Sequence, residues 1–353
     1  MTVPAARVDQ VQLLAALLES GAVAEGAALL DVVERPLGIG ALADTLHLTL
    51  QWDGEGPATA VLKLPAEDDL ARATAATLGA YEREARFYLD LAPHLGIRVP
   101  RCYGVLEFDG VPQGILLEDL STTHRGGDQF SDLDPTILRL ARQQLVRMQG
   151  PVWDDPVTAS LPWLHRRLGV PIPELHARMA RSWRDGGRDA IGSAMTPAQR
   201  EFVDWFIPRA ESWSLGLSGP MTLVHHDFRV DNMLFGARPD DLVVIDFQTV
   251  GWGVPMFDVA YLMGTSLGPE PRRALERDEI ARHADELGEH GVHLEAAAAW
   301  DLYRQASVAV LVMLVSASGS VKSSERSLAM YRRLLASGAQ MALDLDAAEF
   351  IGG

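Results

Sequence analysis

The sequence predicts an α+β chain in two parts: a small lobe built on an antiparallel sheet over residues 1–120, and a large, mainly helical lobe over residues 121–353. Three observations lead there. "TLHLTLQW" (45–52) alternates strictly, which puts Leu46, Leu48, Leu50 and Trp52 on one strand face. Further apolar runs joined by short polar turns continue to residue 120. From residue 134 onward the apolar spacing is helical almost throughout.

The elements follow in order. "RVDQVQLLAALLES" (7–20) has helical spacing and Gly21 as its stop. The strand 45–52 is followed by the turn "DGEGP" and a second strand, "ATAVLKLP". Residues 68–92 are expected as one helix, and "CYGVLEF" and "QGILLEDL" as a hairpin joined by "DGVP". The small lobe is then helix, hairpin, helix, hairpin. In the large lobe helices are expected at 134–149, 172–186, 197–214, 255–266, 275–289, 294–317 and 323–345. The region 221–250 breaks this pattern with short apolar runs between polar turns. No internal repeat or low-complexity linker stands out.

Composition narrows the function classes. Nearly half of the 353 residues are apolar, enough for a sizeable core. A net charge of −17 argues against nucleic acid as partner. "MTVPAARVDQ" lacks the basic start and apolar run of a leader. The longest apolar stretch, "ASVAVLVMLVSAS" (306–318), is short for a bilayer, so a buried helix and no membrane insertion are expected. The lone Cys102 forms no intrachain disulfide, which fits a cytoplasmic location. Lysine is scarce: only Lys63 and Lys322 occur, and every other basic side chain apart from histidine is arginine. A compact point charge kept on the strand "TAVLKLP" therefore asks for a reason.

Several motifs carry chemistry. Gly38, Gly40 and Ala43 fit G-x-G-x-x-A, but the strand 45–52 follows them where a dinucleotide fingerprint needs a helix. A glycine flap over phosphates is the better functional reading, beside an ordinary glycine turn. In "LVHHDFRVDNMLFG" (223–236), His225, Asp227 and Asn232 match H-x-D-x-x-x-x-N, the kinase catalytic-loop spacing. The aspartate can take a hydroxyl proton, and the amide oxygen can ligate Mg²⁺. "LVVIDFQ" places Asp246 at the end of an apolar strand, as a second ligand for a hard cation. Lys63 suits nucleotide phosphates, with Glu84 as its partner because it shares a helix face with Tyr81 and Tyr88.

With "VHHDFRVDNMLF", "VVIDFQTVGWGVPMFDVAYL", "VLKLP", "EREARFY" and "ILLEDL" in this order, the chain resembles the aminoglycoside phosphotransferase/choline kinase-like superfamily over roughly residues 35–265. "IDFQ" and "EARFY…VP" are most similar to the branch of ecdysteroid kinase-like proteins and acyl-CoA dehydrogenase-linked kinase domains. The resemblance implies a bilobal protein-kinase-like fold and a small-molecule kinase using ATP, with GTP open, and Mg²⁺. It implies Asp227 as catalytic base, Asn232 and Asp246 as metal ligands, and Lys63 with Glu84 on the α/β-phosphates. Glu118 and Leu120 would meet the adenine edge by backbone groups. His225 and Asp258 would support the loop. Two departures stand out: His226 where H-G-D is commonest, either packing or reaching the acceptor, and Gln149 where many relatives carry a histidine, altering a supporting contact.

Two alternatives remain at this stage. One is a nucleotide-binding pseudokinase, which would usually lose the lysine, the base or a metal ligand. The other is a metal-dependent hydrolase using His225, His226, Asp227 and Asp246, which leaves Lys63, Glu84 and Asn232 unexplained. The acceptor is a small molecule, with a hydroxylated lipid, steroid or acyl compound favoured over an aminoglycoside. Trp153, Trp163, Trp183, Trp205, Trp213 and Trp300 either line its pocket or, more simply, fill the core. Oligomeric state is left open.

Overall fold

A computed structural model of the chain describes residues 9–39, 42–108, 111–172, 174–238, 240–318 and 325–352. The chain divides into two compact units: residues 1–125 with 243–249, and residues 126–242 with 250–353. The run carrying Asp246 thus groups with the N-terminal unit, although it was expected in the large lobe.

The first unit contains a five-stranded antiparallel sheet with order β1-β2-β3-β5-β4, formed by β1 (Ala28–Ile39), β2 (Ala43–Asp53), β3 (Thr59–Pro65), β4 (Cys102–Phe108) and β5 (Val111–Glu118). Helix α1 (Gln10–Glu19) supplies Leu13, Ala16 and Leu17 to a core with Leu46, Leu48, Leu50, Ala60, Leu62 and Leu64. The strict alternation of β3 is what leaves Lys63 on the opposite face. Burying the apolar face fixes the register, because a one-residue slip would turn Lys63 into the core.

β1 was not expected as a strand. It carries Pro36, its pairing with β2 shifts at two places, and Leu30, Val33 and Leu37 are exposed. An edge strand packs one side only loosely, so the apolar alternation that reveals a buried strand is blurred. Gly38 belongs to this strand, opposite Thr45, rather than to a turn. Gly40 lies outside the described residues, and so does Lys322.

The helix expected at 68–92 is two helices, α2 (Asp69–Leu78) and α3 (Ala80–Arg86), followed by a wider π turn, Phe87–Leu91. Gly79 separates them in a left-handed conformation, φ 64°, which glycine adopts without steric cost. The break lets α3 turn a separate face, with Tyr81, Glu84, Ala85 and Tyr88 buried.

The second unit is helical around Met256–Ser266, every residue of which is buried. Such a helix is apolar all round because it sits at the middle of its unit. The helix expected at 294–317 is broken into Ala296–Gln305 and Ala309–Ser318. Ala296–Ser318 is the one described helical stretch long and apolar enough to cross a membrane, and 61% of its most apolar window is buried. Trp163, Trp183 and Trp213 are core residues. The region 221–250 forms short strands and 3₁₀ turns, with Thr222–Val224 pairing antiparallel to Gly251–Gly253.

Candidate active site

In the first unit, Lys63 on β3 donates from Nζ to Oε1 of Glu84 at 2.7 Å and to Oδ1 of Asp246 at 2.9 Å. Glu84 comes from α3, and Asp246 from a run more than 180 residues beyond Lys63. That run is anchored by main-chain and ring contacts. Val244 N–H donates to Arg98 O at 2.8 Å, Phe247 N–H donates to Glu84 Oε1 at 3.2 Å, and the Phe247 ring stacks on Phe87 with centroids 3.7 Å apart. Glu84 Oε1 therefore holds both the lysine and the backbone beside the aspartate. Asp246 itself has φ 69°, a left-handed turn that ends the apolar run.

Burial opposes the lysine's charge, but Asp246 and Glu84 outweigh it and hold its pKa above the ordinary value. Burial raises the Glu84 carboxyl, against the attraction of Lys63. The cluster is one cation shared by two carboxylates, a mixture that a phosphate group or a divalent cation would rebalance.

Glu118 ends β5 and Leu120 follows two residues later. Glu118 N–H donates to Arg101 O, and its Oε1 accepts from Arg101 N–H at 2.8 Å. The Leu120 carbonyl accepts from the N–H groups of Thr123 and His124. What remains at Leu120 is its N–H, which has no partner among the described residues.

In the second unit, the loop after Thr222–Val224 is held by one buried carboxylate. Asp258 accepts from the His225 N–H at 2.7 Å and from the His226 N–H at 2.9 Å. It sits in the first turn of Met256–Ser266, where the helix dipole favours an anion. Burial pushes its pKa up to about 7, the two N–H groups pull the other way, and the charge of Asp227 adds to the rise.

His226 resolves its own ambiguity. It is 1% exposed, its ring centroid lies 5.1 Å from that of Phe257, and its φ is 64°. The side chain packs inward, against Phe257. The left-handed backbone is the physical reason a glycine suits this position. His225 is fully buried, and its Nδ1 accepts from the Asp227 N–H at 3.3 Å. Gln149 donates from Nε2 to the carbonyl of Pro255 at 3.0 Å, which ties the helix Pro135–Gln149 to the start of the helix bearing Asp258.

Asp227 is surrounded by donors. Its Oδ2 accepts from Asn232 Nδ2 at 2.8 Å, and its Oδ1 from Tyr261 Oη at 3.0 Å and Arg229 Nε at 3.1 Å. Asn232 also donates to the Asp227 carbonyl at 2.9 Å. With its nitrogen so used, its Oδ1 has no partner among the described residues. An amide oxygen and the Asp246 carboxylate are the ligand types Mg²⁺ takes, and substrate phosphates and water ordinarily complete its shell. Each of the two, Asn232 in the second unit and Asp246 in the first, is by its own chemistry a ligand type that fits Mg²⁺. Among the described residues no group of three or more His, Cys, Asp or Glu is arranged to hold a metal.

Tyr261 and Arg229 did not emerge from the motif reading. Tyr261 stands three residues, one helical turn, after Asp258, which was a usable signal. Arg229 lies inside the motif itself, and only its neighbours reveal what it touches.

The fold and the loop define a phosphotransferase of the protein-kinase-like class. The profile of the "Phosphotransferase enzyme family" matches residues 34–300, and the chain belongs to that family. It is a phosphotransferase. Solved structures share the fold at low identity. A Ralstonia eutropha protein, provisionally described as an aminoglycoside phosphotransferase, matches at 19% identity and TM-score 0.56, covering 96% of this chain and 99% of that one. Choline kinase from Cryptosporidium parvum matches at 9% identity and TM-score 0.51, covering 96% and 95%. Macrolide 2'-phosphotransferase type I matches at 15% and TM-score 0.50, covering 95% and 99%. No curated protein matches.

Proposed function

We propose that the chain is a Mg²⁺-dependent kinase that moves the γ-phosphoryl group of ATP to a hydroxyl of a largely apolar acceptor. The observation that carries this reading is the fixed carboxylate of Asp227, whose three donors leave it one orientation. Such a group positions an acceptor hydroxyl and takes its proton as the new O–P bond forms and the bond to ADP breaks. Lys63, steadied by Glu84, binds nucleotide phosphates. Asn232 and Asp246 would hold Mg²⁺, which supplies charge neutralisation of the phosphates when bound. The Leu120 N–H would meet the adenine edge.

The apolar acceptor is suggested by the side chains around Asp227 and its arginine. Arg229 pairs with both Asp227 and Asp231, at 3.1 and 2.8 Å. One guanidinium shared by two carboxylates leaves a net negative charge, so the lean toward an apolar acceptor comes from the side chains beside Arg229. Met330 lies against the guanidinium, and Tyr331 is close enough to feel the charges of Arg229 and Asp227. The test is a panel of hydroxylated lipids, steroids, acyl compounds, aminoglycosides and choline with Mg·ATP, read by mass for phosphorylated product. Product from an aminoglycoside or choline alone would remove the acceptor assignment. Tight ATP binding with no ADP release in any mixture would remove the kinase reading.

A further inference from the structure

Arg229 is a heavily engaged cation of the second unit whose role the motif reading did not supply. Its side chain is 18% exposed. Nε donates to Asp227 Oδ1, while Nη1 donates to Asp231 Oδ2, to Gln129 Oε1 at 3.4 Å and toward Met330 Sδ at 3.6 Å. Nη2 makes no hydrogen bond among the described residues. Burial works against the charge of Arg229, but Asp227, Tyr261 and Asp231 hold its pKa above the ordinary arginine value. It therefore stays a cation, and a planar one with two prongs fixed at different carboxylates.

We propose that Arg229 is a positioning residue for phosphoryl transfer: clamped by Asp231 and Gln129, it holds Oδ1 of Asp227 and sets the orientation of the carboxylate that takes the acceptor proton. The inference rests on the kinase reading above. Its physical content is rotational. Asn232 holds Oδ2 from one side, and Tyr261 reaches Oδ1 through a single hydroxyl whose proton can swing. Arg229 adds a second donor at Oδ1 from a rigid plane, and that plane is fixed elsewhere by Asp231. Removing it leaves Asp227 in place but free to turn about its last side-chain bond. A misplacement on the ångström scale costs about 100-fold in rate. A lysine cannot replace the fork, because one ammonium at the end of a flexible stem cannot keep both carboxylates at the same angles.

The test uses the full chain, Mg·ATP and water as the acceptor, with ADP release as the signal, for wild type, Arg229→Ala and Arg229→Lys. The expected result is a fall of about 100-fold in kcat for the alanine variant, with KM for ATP unchanged to within about twofold. The lysine variant should recover only a small part. Millimolar guanidinium chloride should raise the rate of the alanine variant, while sodium chloride at equal ionic strength should not. Wild-type kcat in Arg229→Ala overturns the inference, as does a loss confined to KM. Should the alanine variant fail to fold, wild-type kcat in Arg229→Lys overturns it equally. A wild-type chain that binds Mg·ATP yet releases no ADP with water or with any acceptor of the panel overturns the kinase reading itself, which separates the two failures.

Discussion

Lys63 in the first unit and Asp227 in the second are each held by groups that answer their charge, but by different means. Lys63 is fixed by two long-range carboxylates, Glu84 and Asp246, contributed by a helix and by a distant run of chain. Asp227 is fixed mainly by its own neighbourhood, Asn232 and Arg229 within five residues, on a loop whose backbone hangs from Asp258. The difference teaches where each can fail. The lysine cluster depends on charge type and reach, so it should be sensitive to substitution of one cation for another. The loop depends on backbone shape, so it should be sensitive to whatever holds that shape.

The sharpest way to break the comparison is Asp227→Ala. Turnover should fall roughly 10²- to 10⁴-fold, while calorimetric titration should still find ATP binding, because the lysine cluster is untouched. Unchanged turnover would take the base away from Asp227. Next comes Lys63→Arg. Two buried cations in the second unit, Arg142 with Glu279 and Glu286 and Arg272 with Glu276 and Asp344, are arginines. An arginine at 63 brings a wider fork to a place fitted to a point charge, so ATP affinity should drop by about tenfold or more. Wild-type affinity would remove the argument from lysine scarcity.

A gentler probe of the loop is Asp258→Asn under varied pH. The folded value of Asp258, about 7, lies above the unfolded value of about 3.9. The folded state therefore keeps a proton that the unfolded state loses. The stability this provides is complete below about pH 4 and disappears as pH rises through about 7. Urea unfolding should show wild type losing its advantage over Asp258→Asn across that window. A gap that widens with pH would contradict the raised value.

The smallest effect concerns His226. Its left-handed backbone means Gly should be a better small replacement than Ala, by about 1 kcal/mol. Thermal unfolding of His226→Gly and His226→Ala measures this directly. If the alanine variant is as stable as the glycine one, backbone shape is not what makes glycine common there.

Much of the site was legible because its chemistry demands unusual residues in apolar surroundings. Lys63 within "AVLKLP" and Asp246 within "VVIDF" announce themselves, since a charge is rarely left there without a partner. Glu84 followed from helical spacing with Tyr81 and Tyr88. What was not legible depends on conformation. Gly79 looks like any helical glycine until its φ is known, so one helix was expected where two occur. β1 shows no clean alternation because it lies at an edge. Arg229 reads as solvated until Asp231, Gln129 and Tyr261 are seen around it.

By itself, the sequence determined the α+β class, the strand face bearing Lys63, and the spacing that sets Asp227 five residues from Asn232. Periodicity and local charge are properties of neighbouring residues, so they survive without coordinates. Only the tertiary structure decided that Asp246 comes to Lys63, that the backbone N–H groups of His225 and His226 are the ones Asp258 accepts from, and that His226 faces inward. Those outcomes depend on which distant groups satisfy buried backbone N–H groups and charges. That pairing is settled only when the whole chain has packed.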